Sequence, residues 1–352
     1  MALRLTSLLD LDRHGFDAII DVRSPSEFEE DHLPGAVNLP VLDDAERARV
    51  GTIYKQQSPF LARKMGAALV ARNAAQHLEG PLSGMGGGWR PLVYCWRGGQ
   101  RSGSFATILA QVGWRVDLVD GGYKAWRRLV VEELHDRDVC SPVVVLDGNT
   151  GSAKTEILGL LARRGLQVID LEGLANHRGS LFGHREGGQP TQKAFEGRLA
   201  MALAALDPAR PVVVEAESSK VGDLALPKRL WAAMGAAPRV RIAVLVEERA
   251  AYLSRAYADL TEDRARLEHT IMLLRHLHAA DVIESWRGMV AGGQHAALAE
   301  DLMRRHYDPR YERHRDRFEA SGCEVVAAQS LAPDALEDVA DRVASAVQRL
   351  AG

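Results

Sequence analysis

The sequence predicts an α/β protein of two domains, each built on a mainly parallel sheet. Three observations lead there. The chain has 352 residues, more than one typical domain. Twice, at Pro91–Tyr94 and at Val143–Leu146, a short apolar run passes into a glycine-rich turn and then a helical pattern. The remaining apolar runs alternate with helical segments, the arrangement that gives parallel strands joined by crossovers. Between the two turn-bearing segments, residues 132–141 are polar and charged and precede Pro142. The predicted domains are therefore residues 1–136 and 137–352, the second ending in a helical segment.

In the first half, 18–22 reads as a buried strand, 26–31 as a short helix, 91–94 as the strand before Cys95, 103–112 as a helix and 116–119 as a strand ending at Gly121-Gly122. Residues 83–88 read as a glycine-rich insert. In the second half, strands are predicted at 143–146, 167–170, 212–215 and 240–246, with a helix over 154–164. Residues 333–350 carry the spacing of an amphipathic helix, which points to packing.

Composition bounds the function. Hydrophobic content of 46% and charged content of 26% are those of a folded globular protein, and a net charge of −3 excludes a uniformly basic surface. A local basic patch stays compatible with nucleic acid. Cys95, Cys140 and Cys323 are three, widely spaced, and form neither a disulfide framework nor a metal-ligand spacing. Asp10, Asp12 and Arg13 interrupt the first apolar stretch, and no run is long enough to span a membrane, so a cytoplasmic, membrane-free protein is expected.

The first candidate site is Cys95-Trp96-Arg97-Gly98-Gly99-Gln100-Arg101-Ser102. It follows a strand and opens a helix, so its backbone amides converge and the helix terminus adds positive potential. Arg97 and Arg101 add full charges, which favour a nucleophilic thiolate at Cys95. The plain alternative is a buried structural cysteine. Asp21-Val22-Arg23-Ser24, Glu27-Phe28 and His32-Leu33-Pro34-Gly35-Ala36-Val37-Asn38, with Asp120-Gly121-Gly122-Tyr123 and Ala125-Trp126, complete a set that resembles the rhodanese family. That resemblance implies a rhodanese-like first domain carrying sulfur or selenium on Cys95.

The second site is Gly148-Asn149-Thr150-Gly151-Ser152-Ala153-Lys154-Thr155, which matches phosphate-loop spacing at Gly148, Lys154 and Thr155. Ala153 stands where the second glycine is usual and is expected to adopt helical geometry. Loop amides and the helix terminus bind phosphate, Lys154 reaches the distal phosphate, and Thr155 suits a magnesium ion. A P-loop NTPase-like second domain is thus predicted. The third strand ends Val214-Glu215-Ala216-Glu217-Ser218; Glu215 and Glu217, like Asp170, are candidates for a base, a magnesium ligand or a simple strand cap. No base-reading motif is present, so the phosphate compound stays open.

Further segments narrow the combination: Ile53-Tyr54-Lys55-Gln56, Ser58-Pro59-Phe60, Ala62-Arg63-Lys64, the run Asp170-Leu171-Glu172-Gly173-Leu174-Ala175-Asn176-His177-Arg178-Gly179-Ser180, Gln189-Pro190-Thr191-Gln192 and Phe195-Glu196. Together with the loop at Cys95, they closely resemble the bacterial tRNA 2-selenouridine synthase family over nearly the whole chain. The resemblance implies a transferase acting on wobble 2-thiouridine of tRNA, with geranyl diphosphate alkylating the sulfur and selenium from selenophosphate then replacing the S-geranyl group. It implies no tightly bound cofactor and places His177 and Arg178 among candidate substrate contacts.

A tRNA partner needs cations. Arg49, Lys55, Arg63, Lys64 and Arg72 form one basic stretch. Arg304, Arg305, Arg310, Arg313, Arg315 and Arg317 form another, interleaved with Tyr307 and Tyr311, a pattern suited to single-stranded anticodon loops. Arg63, Lys64, Arg310 and Arg313 are the candidate tRNA contacts. Asp308, Glu312 and Asp316 keep a solvated helix face as the alternative. The rival functions are a sulfurtransferase fused to an ATP-dependent kinase or ATPase, and a non-catalytic phosphate sensor.

Overall fold

Runs of valine, isoleucine and leucine form the buried strands, and their carboxyl ends carry the residues that break the pattern. The computed structural model describes residues 2–12, 15–315 and 322–351. Arg13, Asp316 and Arg317 of the sequence expectations lie outside the described residues. In chain order the first elements are β1 (Ala2–Leu3), β2 (Ala18–Asp21), α1 (Pro25–Glu30), β3 (Ala36–Asn38), α2 (Asp44–Gln56) and α3 (Pro59–Glu79). They continue with β4 (Pro91–Tyr94), α4 (Gln100–Val112), β5 (Asp117–Val119) and α5 (Gly122–Val131). Next come β6 (Val143–Gly148), α6 (Lys154–Arg163), β7 (Gln167–Ile169), α7 (Leu171–Leu174), α8 (Gln192–Ala204) and β8 (Val212–Glu215). The hairpin β9 (Lys220–Val221) and β10 (Leu224–Ala225) leads to α9 (Lys228–Ala236) and β11 (Arg239–Val244). The helical segment holds α10 (Val246–Ala256), α11 (Ala258–Thr261), α12 (Arg264–Leu273), α13 (Ala280–Ala291), α14 (His295–Leu302) and α15 (Asp308–Arg315). β12 (Cys323–Ala328) and α16 (Pro333–Ala351) close the chain.

The chain divides into two units, residues 1–136 with 190–205, and residues 137–189 with 206–352. The sequence reading assigned 190–205 with the second half; the structure groups this segment, which carries α8, with the first. Thr191 caps α8 by accepting from the Ala194 amide. Arg127 pairs with Glu196, Lys193 with Glu30, and a Cβ at Gly197 would meet the Trp126 ring at 2.6 Å. A large buried ring against a bare backbone fixes that helix, a long-range match that no local pattern carries.

Each unit has a five-stranded parallel sheet, ordered β1-β5-β4-β2-β3 in the first and β12-β11-β6-β8-β7 in the second. The first core gathers Ile20, Val93, Phe105 and Leu109 with Leu69 and Val70 of α3. Two helices there escaped the strand-and-turn reading. α2 starts at an Asp43–Glu46 capping box, and α3 at Ser58, which accepts from the Phe60 and Leu61 amides ahead of a Pro59 start. The second core joins Leu146, Ile157, Val213 and Ile242 to the apolar face of α16. A separate helical cluster, centred on Trp286, Leu267, Ile271 and Leu302, packs beside it. Among the described residues, no helix is long and apolar enough to cross a membrane.

Candidate active sites

In the first unit, β4 leads directly into Cys95, which is buried. Its loop needs two glycines. Gly98 has φ +65°, and a Cβ there would lie 2.8 Å from the Val119 carbonyl oxygen. Gly122, at φ +58°, approaches so closely that a Cβ would lie 2.2 Å from the Cys95 carbonyl oxygen. The Tyr123 amide donates to that carbonyl at 2.9 Å and Lys124 to that of Trp96 at 3.0 Å, tying the closing signature to the cysteine loop. Behind it, the Asp21–Arg23 ion pair is buried at 2.6 Å, and the Arg23 guanidinium lies 4.1 Å from the Tyr123 ring centroid.

The charges around Cys95 differ from the expectation. Arg101 points to Glu27, at 2.7 Å, and Arg47 reaches the same carboxylate at 2.8 Å. Burial alone would raise the Glu27 carboxyl, but the Arg101 hydrogen bond and the two cations hold it below the ordinary range. Arg101 thus braces the loop against α1, and Arg97 is exposed. The residue the sequence reading missed is Ser102, buried in the first turn of α4, whose hydroxyl donates to Cys95 Sγ at 3.1 Å. Its signal was its position seven residues on, where the first turn of a helix returns to the strand end. Arg63 and Lys64 lie on the exposed side of α3.

In the second unit, β6 feeds the phosphate loop and α6 leaves it. Gly148 is required because a Cβ would lie 2.3 Å from Ser152 Oγ. Ala153 is left-handed, at φ 57° and ψ 29°, where helical geometry was expected. The loop needs glycine-like backbone there, and alanine holds it under strain because the site is buried and over-determined. Lys154 Nζ donates to the Gly148 carbonyl at 2.9 Å, and Thr155 Oγ1 donates to Glu172 at 2.8 Å.

Part of the second basic stretch is loop structure. Asp308, read as one of the acids on a solvated face, takes a bidentate bond from Arg249 at 2.9 and 2.7 Å and one from Asn149 at 2.9 Å. Arg315 binds Asp147 at 3.2 Å and the Asn149 side chain. The Tyr311 hydroxyl lies 3.5 Å from Thr150 Oγ1, and Lys154 Nζ lies 5.7 Å from its ring centroid. Sequence distance hid these partners: more than 150 residues separate Asn149 from Asp308. Arg310 and Arg313 remain exposed on α15.

The other candidates separate cleanly. Asp170 caps α7, accepting from the Gly173 amide at 2.7 Å. His177 is buried, accepts at Nδ1 from the Gly179 amide at 3.1 Å, and is kept neutral by burial and by His184. Arg178 instead lies 4.6 Å from the Tyr257 ring centroid and lines the loop cavity. Glu215 is fully buried, accepting at one oxygen from the Glu172 amide at 2.6 Å. Burial, and then the charges of Glu172, Glu217 and Asp170, raise its carboxyl well above the ordinary range. Glu217 is raised too, by burial and by the Glu172 carboxylate with which it shares a hydrogen bond. Among the described residues, no group of three or more acidic, histidine or cysteine side chains is arranged to hold a metal ion.

Two cavities meet at the loop and a third adjoins one of them through Tyr311. One, of about 880 Å³, is lined by the loop itself, Glu172, Arg178 and Arg185. A second, of about 560 Å³, is apolar, with Phe182, Leu267, Leu298 and Leu302 in its wall, and shares Thr150, Ser180, Leu253 and Tyr257 with the first. A third, of about 720 Å³, holds Glu217, Arg310 and Arg315 and shares Tyr311 with the loop cavity.

Comparison with known proteins gives two successive matches, the second of which spans residues 190–205 as the sequence boundary does. Residues 5–129 match the rhodanese-like domain family, and residues 141–285 match the family described as the tRNA 2-selenouridine synthase AAA domain. The chain is 35% identical over 340 residues to a tRNA 2-selenouridine synthase of Aeromonas salmonicida, covering 88% of this chain and 90% of that one. It is 39% identical over 237 residues to the Alcanivorax borkumensis protein of that name, covering 66% of this chain and 64% of the relative. With the Hahella chejuensis protein of that name, identity is 39% over 250 residues, covering 68% and 63%. The chain thus spans just under two thirds of the length of the Alcanivorax and Hahella relatives.

Proposed function

Because the chain belongs to the tRNA 2-selenouridine synthase family, we propose that it converts 2-thiouridine of tRNA to 2-selenouridine through an S-geranyl intermediate. Geranyl diphosphate is the first substrate. Its diphosphate sits on the Gly148–Thr155 loop with Lys154, Arg178 and Arg185 as counter-charges, and its chain lies in the adjoining apolar cavity. The second substrate is the wobble nucleotide, and selenophosphate supplies selenium by way of Cys95. The activity is that of a geranyl- and selenotransferase on tRNA.

One observation carries this reading: an apolar cavity shares four wall residues with a phosphate-loop cavity. A diphosphate attached to a hydrocarbon needs that pair of environments, an anion cradle beside a dry apolar slot. A nucleoside triphosphate would place a polar ribose there, where hydroxyls would be desolvated among Phe182, Leu267 and Leu302. Electrostatic support of the departing diphosphate by Lys154 and the loop amides favours the transition state over the bound ester.

The test is mass spectrometry of tRNA nucleosides after incubation with geranyl diphosphate and then selenophosphate. S-geranyl-2-thiouridine followed by 2-selenouridine is the expected series. Phosphate release from ATP with no change in the nucleosides would favour the fused kinase or ATPase instead.

A further inference from the structure

The third cavity is unused by the ester. It lies across Tyr311 from the phosphate loop. Arg239, Arg310 and Arg315 face Asp147 and Glu217 there, so the cations outnumber the carboxylates even with both acids ionised. Arginines for a phosphate and an aromatic wall for a base suit a nucleotide swung out of an RNA loop.

We propose, resting on the function above, that this cavity receives the 2-thiouridine nucleotide and that Glu217 is the base that removes its N3 proton as the sulfur is alkylated. The chemistry demands such a group. A sulfur lone pair forms the bond to C1 of the prenyl chain, and the C1–O bond breaks with its electron pair leaving on the diphosphate. The C2–S bond becomes single, and the N3–H electrons form the C2=N3 double bond. The proton must go to a base, or the alkylated nucleoside stays cationic.

Glu217 has the position for it. It borders the nucleotide cavity and shares a hydrogen bond with Glu172, which in turn holds Thr155 of the phosphate loop. Proton removal is thereby placed beside the ester site. The groups facing it are Glu172 from α7, Glu215 at the end of β8 just before it, and Lys154 from α6. Across the cavity stand Asp147 of β6, Arg239 of β11, and Arg310 and Arg315 of α15. Burial and the Glu172 charge raise its proton affinity above that of an exposed carboxylate, against the attraction of Lys154. A strengthened base is what a weakly acidic ring N–H requires.

The experiment uses the full chain, geranyl diphosphate and an anticodon stem-loop RNA carrying 2-thiouridine. Glu217→Gln is expected to lower kcat for S-geranylation by about 100-fold or more, with KM for both substrates within about threefold. Its defect should shrink as pH rises and the nucleoside loses its N3 proton to solvent, a rescue that a misfolded variant cannot show. Arg310→Ala should raise KM for the RNA and leave kcat. A Glu217→Gln enzyme with wild-type kcat and pH profile, or a defect that pH does not relieve, overturns the assignment alone. A wild-type protein that never alkylates the RNA overturns the functional reading and this inference with it.

Discussion

The Ser102 hydroxyl donates to the sulfur of Cys95 across 3.1 Å, while Arg101 is turned to Glu27. A charge on the sulfur would therefore be met by a neutral donor rather than by the Arg101 guanidinium. Cys95→Ala is expected to abolish selenium incorporation and leave S-geranylation intact, because alkylation by a diphosphate ester needs no thiol. Ser102→Ala should slow selenium incorporation by about tenfold, the effect of one hydrogen bond to a charged group. Nucleoside analysis reads both steps, and normal 2-selenouridine formation by Cys95→Ala would remove that residue from the mechanism.

Lys154 crosses the phosphate loop to the Gly148 carbonyl, with Tyr311 beneath it. Lys154→Ala should weaken geranyl diphosphate binding and slow geranylation by about 100-fold, as loss of one pre-organised charge at a departing anion does. Stopped-time assays with the thiolated RNA check it. Unchanged kinetics would move the ester to another site and leave ATP as the better ligand.

The inner strands of both sheets, both loops and the order of the units were legible because a strand, a glycine turn and a helix start are written locally in the chain, whereas β1, β3 and β12 were not read as strands. Ala153 was legible as a departure from the motif but not as a left-handed residue, since its backbone is dictated by the buried loop around it. Two further features were out of reach: α8 with the first unit, and the Arg249–Asp308–Asn149 clasp on the phosphate loop. Each depends on partners brought together by the fold. His177 shows the converse: a residue conspicuous in the sequence proves to hold a turn, and its neighbour Arg178 reaches the cavity.

Ala299 lines the apolar cavity together with Leu298 and Leu302. Ala299→Phe would fill the space of a distal isoprene unit, about 0.8 kcal/mol for each methylene displaced. The variant should lose at least tenfold in kcat/KM for geranyl diphosphate and much less for dimethylallyl diphosphate. Competition between the two esters, read by mass spectrometry, gives the ratio directly. Equal losses for both would place the hydrocarbon elsewhere.

Asp31 is buried beside Tyr123, whose hydroxyl donates to it at 2.8 Å. Burial raises its carboxyl from 3.8 to about 6, and the Tyr123 bond and Arg127 only partly offset this. Between about pH 4 and 6 the folded chain therefore holds more protons than the unfolded one, and stability falls as pH rises through that window. The full penalty, at most about 3 kcal/mol, is present above it. Asp31→Asn keeps an acceptor for Tyr123 without the charge, so it should raise the melting temperature at pH 7.5 by a few degrees. The gain should vanish near pH 4, and scanning calorimetry at both pH values decides it.

The last prediction concerns RNA. Within the second basic stretch, Arg304 is tied to Glu300 and Glu247, Arg305 to Asp301, and Arg315 to Asp147. Arg310 and Arg313 are exposed on α15 and form no ion pair among the described residues, so they are the cations most able to exchange counterions for phosphates. Replacing both with Ala should weaken tRNA binding and flatten its salt dependence by about 0.7 in the log–log slope for each phosphate no longer neutralised. Arg304→Ala with Arg305→Ala removes the same charge from groups already neutralised and should change the slope far less. Filter binding across a salt series separates the pairs. If the two double variants behave alike, the contribution of this segment is diffuse charge, and the anticodon loop binds elsewhere.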